Sequence, residues 1–390
     1  MTQELVTTAE IMGTGYSEHP DPVLAAGECV RAALGGRIPS EEDLVFVFPT
    51  IDYEPHAFLE AAERHAHPAR VVGCTSFAGF TRDKQVARGC VATYLPANGC
   101  SFGVAAVDPL GDDMFGAAKR VAEVAIERGG EVHPHSVLLV LSDGLAGDQR
   151  EIVRGTYAVT GAKVPLVGGA AGENLTLRGT YQFAEGRVMT NGVVAVWINT
   201  PYRLGVGVRH GWRPLGRPQI VTRASRNIVY ELDGRPAVEA YFEVRGAELL
   251  NHESIGGQVM NHPFGVVADS GRYEIRHIMN RVEDGLVLFG YVGEGAVVRV
   301  MASDCDDLLG AAALAAGDAL AQLETAPRGA LVFSCTARVP LLGDRLPSEI
   351  AAVSDGLGGC PAGGFFTLGE FARVTGTTGF HNATVVVLAF

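Results

Sequence analysis

Three times in this chain a strand breaks into a crossover, reaches a glycine-rich turn and continues into further strands. A unit repeated in this way constrains the fold more than any single motif does. The clearest copy has the apolar strand Leu138-Leu139-Val140-Leu141, which breaks at Ser142-Asp143-Gly144. A helical stretch then leads to Pro165-Leu166-Val167-Gly168-Gly169-Ala170-Ala171-Gly172-Glu173-Asn174. An earlier copy runs from Leu44-Val45-Phe46-Val47-Phe48 through Pro49-Thr50-Ile51-Asp52 to Val72-Gly73-Cys74-Thr75 and Ala78-Gly79-Phe80. The last runs from Ala330-Leu331-Val332-Phe333 through Ser334-Cys335-Thr336-Ala337-Arg338 to Gly358-Gly359-Cys360-Pro361-Ala362-Gly363-Gly364-Phe365-Phe366. Each copy closes on one more strand, at 90–95, 192–198 and 383–390.

Glycine serves this pattern. It makes up 50 of 390 residues, against a usual share of about 7%, and it is needed where φ is positive or where backbone passes close to backbone. An apolar content of 47% is ample for buried cores. The net charge of −13 argues against nucleic acid as a partner. Seven scattered cysteines without a CxxC pair predict neither a disulfide framework nor a zinc site. Met1 to Ala9 lacks the basic start and apolar core of a signal peptide. No stretch approaches the roughly 18 apolar residues of a membrane span. These features predict a protein of the reducing cytoplasm.

The expected fold is α/β: three related βα copies, with a β-rich insertion, in two domains. The copies are placed at 10–97, 102–198 and 296–390, and the strand Ala296–Met301 opens the third. In the second and third, helices over Asp112–Arg128 and Asp306–Leu323 begin at acidic residues, as a helix N-terminus favours. Residues 199–295 form the insertion, rich in tight turns such as Leu232-Asp233-Gly234-Arg235. Within it Glu274–Ile278 and Gly285–Tyr291 are expected to pair, and Pro236–Phe242 to be helical.

These phrases resemble the FIST family, a sensory module with an N-terminal and a C-terminal part. The N-part resemblance rests on Val72-Gly73-Cys74-Thr75, Val167 to Glu173, Gly192 to Val196, His210 to Gly216 and Glu231 to Ala237. The C-part resemblance rests on Ile275-Arg276, Gly293-Glu294-Gly295, Phe333-Ser334-Cys335 with Arg338, Gly364 to Glu370, and His381-Asn382-Ala383-Thr384. It places a FIST N-like domain at 20–215 and a FIST C-like domain at 216–390. It implies small-ligand sensing in signal transduction, with an amino acid or other small carboxylate as ligand. Some similar members are haem proteins that sense nitric oxide. The sequence closes at Phe390 within a strand, so output is expected to pass through a separate effector protein. Self-association into a homo-oligomer stays open.

The candidate site residues are Arg276, Glu294, Cys335, Arg338, Gly363, Gly364, Glu370, His381 and Asn382. Strand ends in a mostly parallel sheet lie along one edge, where these segments could meet. A guanidinium and a carboxylate facing one pocket suit a zwitterion; Arg276 with Glu294 or Glu370 forms a structural ion pair on the other reading. Consecutive amides at Gly363–Gly364 could hold a carboxylate. Cys335 ends a strand, and a cation at Arg338 would lower a thiol pKa, which makes Cys335 a candidate nucleophile; the competing reading is a buried core cysteine. His210 and His381 are the histidines available should haem be bound. No metal site and no covalent haem motif is expected.

Overall fold

The computed structural model describes residues 12–130, 133–246, 255, 259, 261–268, 271, 273–374 and 379–390. The reading of Met1–Ala9 lies outside them. The first unit comprises β1 (Gly13–Ser17), α1 (Pro22–Leu34), β2 (Leu44–Pro49), α2 (Pro55–Ala66), β3 (Arg70–Cys74), a hairpin of β4 (Gly79–Thr81) and β5 (Lys84–Val86), and β6 (Cys90–Leu95). The second repeats it as β7 (Ser101–Val107), α3 (Met114–Arg128), β8 (His135–Asp143), α4 (Gln149–Thr160), β9 (Leu166–Ala171), a hairpin of β10 (Gln182–Ala184) and β11 (Arg187–Met189), and β12 (Val193–Thr200). Aspartates begin three of these helices: the side chains of Asp21, Asp113 and Asp148 accept first-turn backbone N–H groups of α1, α3 and α4.

The third unit does not open at Ala296. Its first strand is β13 (Gly205–Arg209). The chain then leaves for an insert made of β14 (Arg213–Ser225), β15 (Ile228–Leu232), β16 (Arg235–Pro236), α5 (Ala237–Arg245), β17 (Phe264–Val267), β18 (Tyr273–Arg276), β19 (Ile278–Val282), β20 (Gly285–Leu288) and β21 (Val297–Ala302). It returns as α6 (Cys305–Leu320), β22 (Ala330–Cys335), the short α7 (Val339–Leu342), α8 (Leu346–Gly356), β23 (Ala362–Thr367), a hairpin of β24 (Glu370–Arg373) and β25 (Phe380–His381), and β26 (Val385–Ala389). Glycine shows why Gly205–Arg209 is the true opening strand. A Cβ on Gly207 would sit 1.8 Å from the Ala315 carbonyl oxygen of α6, as one on Gly103 of β7 would sit 1.8 Å from that of Ala125 in α3. In both units the helix lies directly on the first strand, and only glycine leaves room. The strand expected at Ala296–Met301 exists as β21, but it pairs with β14 and β17 in the insert. The run Glu274–Ile278 divides at His277: β18 pairs with β17, and β19 is the partner of β20.

Each unit has one strand order: β1-β6-β2-β3, β7-β12-β8-β9 and β13-β26-β22-β23. In each, only the last pair is parallel. The sheets are therefore mixed, not mostly parallel. Each sheet is completed by a hairpin from another unit: β10–β11 on β3, β24 and β25 on β9, and β4–β5 on β23. The exchange closes a ring. The inner faces of the three sheets meet in one core through Phe46, Phe48, Leu139, Leu141, Phe333, Phe365 and Leu388. Phe48 stacks on Phe365 at 4.5 Å, across two units. The alternate side chains of β2, Val45 and Val47, face the helical layer of α1 and α2, which explains why these strands read as unbroken apolar runs. The insert has its own core, built around Tyr241, Phe264 and Leu286. Among the described residues no helix is long and apolar enough to cross a membrane.

Candidate functional site

Three elements bring charged and polar side chains together where the insert meets the second and third units. The insert supplies Glu274 and Arg276 from β18 and Tyr291 after β20. The second unit supplies Asp148 and Arg150 at the start of α4. The third supplies His381 from β25 and Asn382 after it. Arg276 is only 5% exposed. Its Nη2 donates to Glu274 Oε2 at 2.8 Å and its Nη1 to the carbonyl of Ile275 at 3.0 Å. Burial lowers its pKa, and the nearby Arg150 adds to this, against the pull of Glu274. Arg150 forms a fork with Asp148 and stacks over the Tyr291 ring at 4.2 Å. That stack joins the insert to α4. Gly290, at φ +122°, passes so close that a Cβ would meet Arg276 Cδ at 3.3 Å and Asn382 Oδ1 at 3.9 Å.

The cluster is polar beyond its own pairings. Glu274 Oε1, Asn382 Oδ1 and the adjacent His277 Nδ1 are buried without a hydrogen-bond partner among the described residues. Such atoms ordinarily find one. Asn382 is 1% exposed, and its Nδ2 donates to the His381 carbonyl. His381 Nε2 lies 2.8 Å from the Ala372 carbonyl, which makes that nitrogen the donor. Burial lowers the pKa of His381 and takes that of His277 down to about 4, so both are neutral at pH 7. The cluster thus holds two guanidinium groups, two carboxylates and neutral polar groups. Its two unpartnered oxygens are hydrogen-bond acceptors.

The structure brings Arg276, His381 and Asn382 together; Glu370 pairs with His381 across β24–β25 and His210 lies near His381, but their polar atoms, like the remaining expected residues, are engaged outside the cluster. Arg338 and Glu349 form an ion pair with both side chains fully buried, Nη2 to Oε1 at 2.6 Å. Arg338 also donates to the carbonyls of His210 and Leu308, and Ser334 Oγ donates to Glu349 Oε2. It is a structural strut. Cys335 is buried, and burial together with the neighbouring Glu370 raises its thiol pKa well above the ordinary value. A thiolate is disfavoured there, and Arg338 faces away toward Glu349. Glu370 accepts from the hydroxyls of Thr367 and Thr384; burial lifts its pKa to about 7. Gly363 and Gly364 lie within β23, between β22 and β4, under ladder pairing. Glu294 caps the backbone N–H of Ala224 on the exposed side of the insert. The partner of Arg276 is Glu274, rather than Glu294 or Glu370. Glu274, Asp148, Arg150 and Tyr291 carry no sequence signal of their role, because three separate elements deliver the cluster.

Haem does not fit what His210 and His381 offer. His210 Nδ1 accepts the Trp212 N–H, which leaves the proton on Nε2, and His381 Nε2 is committed to the Ala372 carbonyl. Two cavities lie apart from both. One, of about 30 Å³, is lined by Leu95, Phe102, Ile198, Tyr202 and Arg328; the other, of about 430 Å³, lies between the first two units.

A three-sheet ring thus carries an inserted β domain, with a largely buried polar cluster where the insert meets the second and third units. Among family models, the FIST N domain matches residues 43–235 and the FIST C domain residues 237–373, so this chain belongs to the FIST family. FIST domains are sensory domains that bind small ligands in signal transduction. An uncharacterized protein of Mycobacterium tuberculosis (strain H37Rv) is 26% identical over 401 residues, covering 97% of this chain and 99% of the relative. One from Mycobacterium bovis is 28% identical over 235 residues, 58% of this chain and 60% of its own length. One from Methanocaldococcus jannaschii is 24% identical over 159 residues, 37% and 30%.

Proposed function

We propose that the protein is a cytoplasmic sensor of an amino acid or similar small carboxylate, bound at the Arg276 crevice, which signals through a separate effector. The observation that carries this reading is the buried guanidinium of Arg276 beside idle buried acceptors, Glu274 Oε1 and Asn382 Oδ1. An ammonium group would satisfy those oxygens, and a carboxylate would find guanidinium donors at Arg276 and Arg150. Asp148 and Glu274 keep the site near neutrality, which favours a zwitterion over a simple anion. The Arg150–Tyr291 stack spans the second unit and the insert, so a ligand beneath it would couple their positions. That coupling supplies the difference between states that a sensor needs. All seven cysteines are free thiols, the state that a reducing compartment maintains.

Calorimetry against a panel of amino acids tests the proposal. Arg276→Ala is expected to weaken binding by about 2–5 kcal/mol, because Glu274 loses its partner as the ligand does. Unchanged binding of every ligand by a folded Arg276→Ala protein would remove the crevice from consideration.

A further inference from the structure

The ring provides its own internal control. Gly73, Gly168 and Gly364 occupy one position in the three units: a Cβ on each would lie 1.9, 1.9 and 1.8 Å from the carbonyl oxygen of Val47, Val140 and Val332. Opposite them, on the exchanged hairpins, stand Phe183, Phe371 and Phe80. Two residues beyond each phenylalanine come Glu185, Arg373 and Arg82. The two arginines reach across their junctions, Arg373 buried and Arg82 exposed. Arg373 is 2% exposed, and its Nη2 donates to Thr160 Oγ1 at 2.9 Å and to the carbonyls of Gly161 and Val164 at the end of α4. Arg82 donates to the Gly359 carbonyl just past α8. Each places a cation at a helix C-terminus, where the dipole favours it.

The third junction breaks the rule. A carboxylate at 185 is disfavoured beside the C-terminus of α2. Glu185 turns instead to Arg128 of α3 and to Arg187. Where the other junctions carry an arginine, this one carries a cavity of about 430 Å³, lined by Glu63, His67, Arg70, Val71, Arg128 and Glu185 among others. Arg128 and Glu185 satisfy each other. Arg70 and Glu63 line the same cavity, yet neither has an ion-pair partner among the described residues. Arg70 donates to the carbonyls of Phe102 and Glu42, and its buried Nε has no partner.

We propose that this cavity is a second ligand site, which takes a small zwitterion with its carboxylate on Arg70 and its ammonium on Glu63. The volume lies within the range of small-molecule pockets. The two charges are of opposite sign, lack an ion-pair partner among the described residues and line one half-open cleft, so one ligand carrying both complements answers both. Burial moves the pKa of Glu63 up, against a hydrogen bond from the Gly186 backbone N–H, and that of Arg70 down, against the nearby Asp43 and Glu42; in both, burial prevails. The site is separate from the Arg276 crevice and does not depend on its occupancy.

The test is calorimetry of the full chain with glycine, β-alanine and γ-aminobutyrate, a series in which the distance between charges grows, and with acetate and methylamine as half-ligands. The same series is run on Arg276→Ala, Arg70→Gln, Glu63→Gln and Glu185→Arg, with folding checked by circular dichroism. At least one zwitterion is expected to bind more tightly than either half-ligand and to keep its affinity in Arg276→Ala. It should weaken about tenfold or more in both Arg70→Gln and Glu63→Gln. Glu185→Arg installs the arginine of the other junctions and should abolish that binding; if it fails to fold, the two glutamine variants decide. Binding lost only in Arg276→Ala would overturn this site and leave the crevice standing. Acetate binding as tightly as any zwitterion, with Glu63→Gln silent, would also overturn it, as would no binding by any member of the series.

Discussion

Replacing Arg338 by methionine removes one partner of an ion pair in which both side chains have no exposure. The guanidinium holds Glu349 through Nε and Nη2, and it holds the carbonyls of His210 and Leu308 at 2.9 and 3.0 Å. Without it Glu349 keeps only the Ser334 hydroxyl. Breaking one side of a buried pair costs about 3–5 kcal/mol, since the remaining charge stays desolvated. The orphaned carbonyls push the loss toward the upper end. A protein of ordinary net stability, about 5–15 kcal/mol, would lose a large part of it. The double variant Arg338→Met/Glu349→Leu removes the stranded charge and should recover at least half of the loss. Urea unfolding followed by tryptophan fluorescence reads both, because Trp212 donates from Nε1 to the Ala383 carbonyl close to the strut. A single variant within about 1 kcal/mol of the parent, the range of exposed pairs, would refute the argument. A double variant no more stable than the single would refute it as well.

Gly168→Ala should destabilise by about 3 kcal/mol or more, since its Cβ would press to 1.9 Å on backbone that cannot give way. Gly317→Ala on α6 meets nothing within 4 Å and should instead stabilise by about 0.5–1 kcal/mol, and a thermal melt of the two variants compares them directly. The pKa of Glu370 is near 7 in the folded protein and 4.5 otherwise. The native state therefore holds the extra proton between those values, and this group's contribution falls as pH rises from about 4.5 to 7, by roughly 3 kcal/mol. Glu370→Gln can still accept from Thr384 and can donate to Thr367 Oγ1, whose own hydroxyl then turns to the Ser334 carbonyl, and should gain on the parent protein over that range. A stability difference between the two that is flat with pH would show that folding leaves the pKa of Glu370 unchanged.

The repeated unit was legible because its causes are local: apolar runs, acidic helix starts and glycines at close approaches. The register of the third copy was not. Its opening strand, Gly205–Arg209, lies far from its helix in sequence, and β21 offered a nearer strand with the same apolar character. The exchanged hairpins were equally hidden, since β4, β10 and β24 are three- and four-residue strands whose partners lie in another unit. At the crevice, Arg276, His381 and Asn382 stood out within family-like phrases, whereas Glu274, Arg150 and Tyr291 are ordinary surface residue types until the insert folds back onto α4. Arg338 drew notice as a charge in an apolar stretch. The sequence could not show that Glu349, one helix later, neutralises it.

The closed ring of hairpins sets the order in which a nascent chain can finish folding. The first two units emerge with β9 already paired to β8, but the outer edge of β9 has no partner until Glu370–Arg373 leaves the ribosome, some two hundred residues later. The sheet of the third unit, in turn, requires β4, made long before. During synthesis the growing chain therefore carries an unpaired strand edge, Leu166–Ala171, small and apolar, open to any other extended chain. Its protection comes only with β24, so the edge stays open while the insert and most of the third unit are translated.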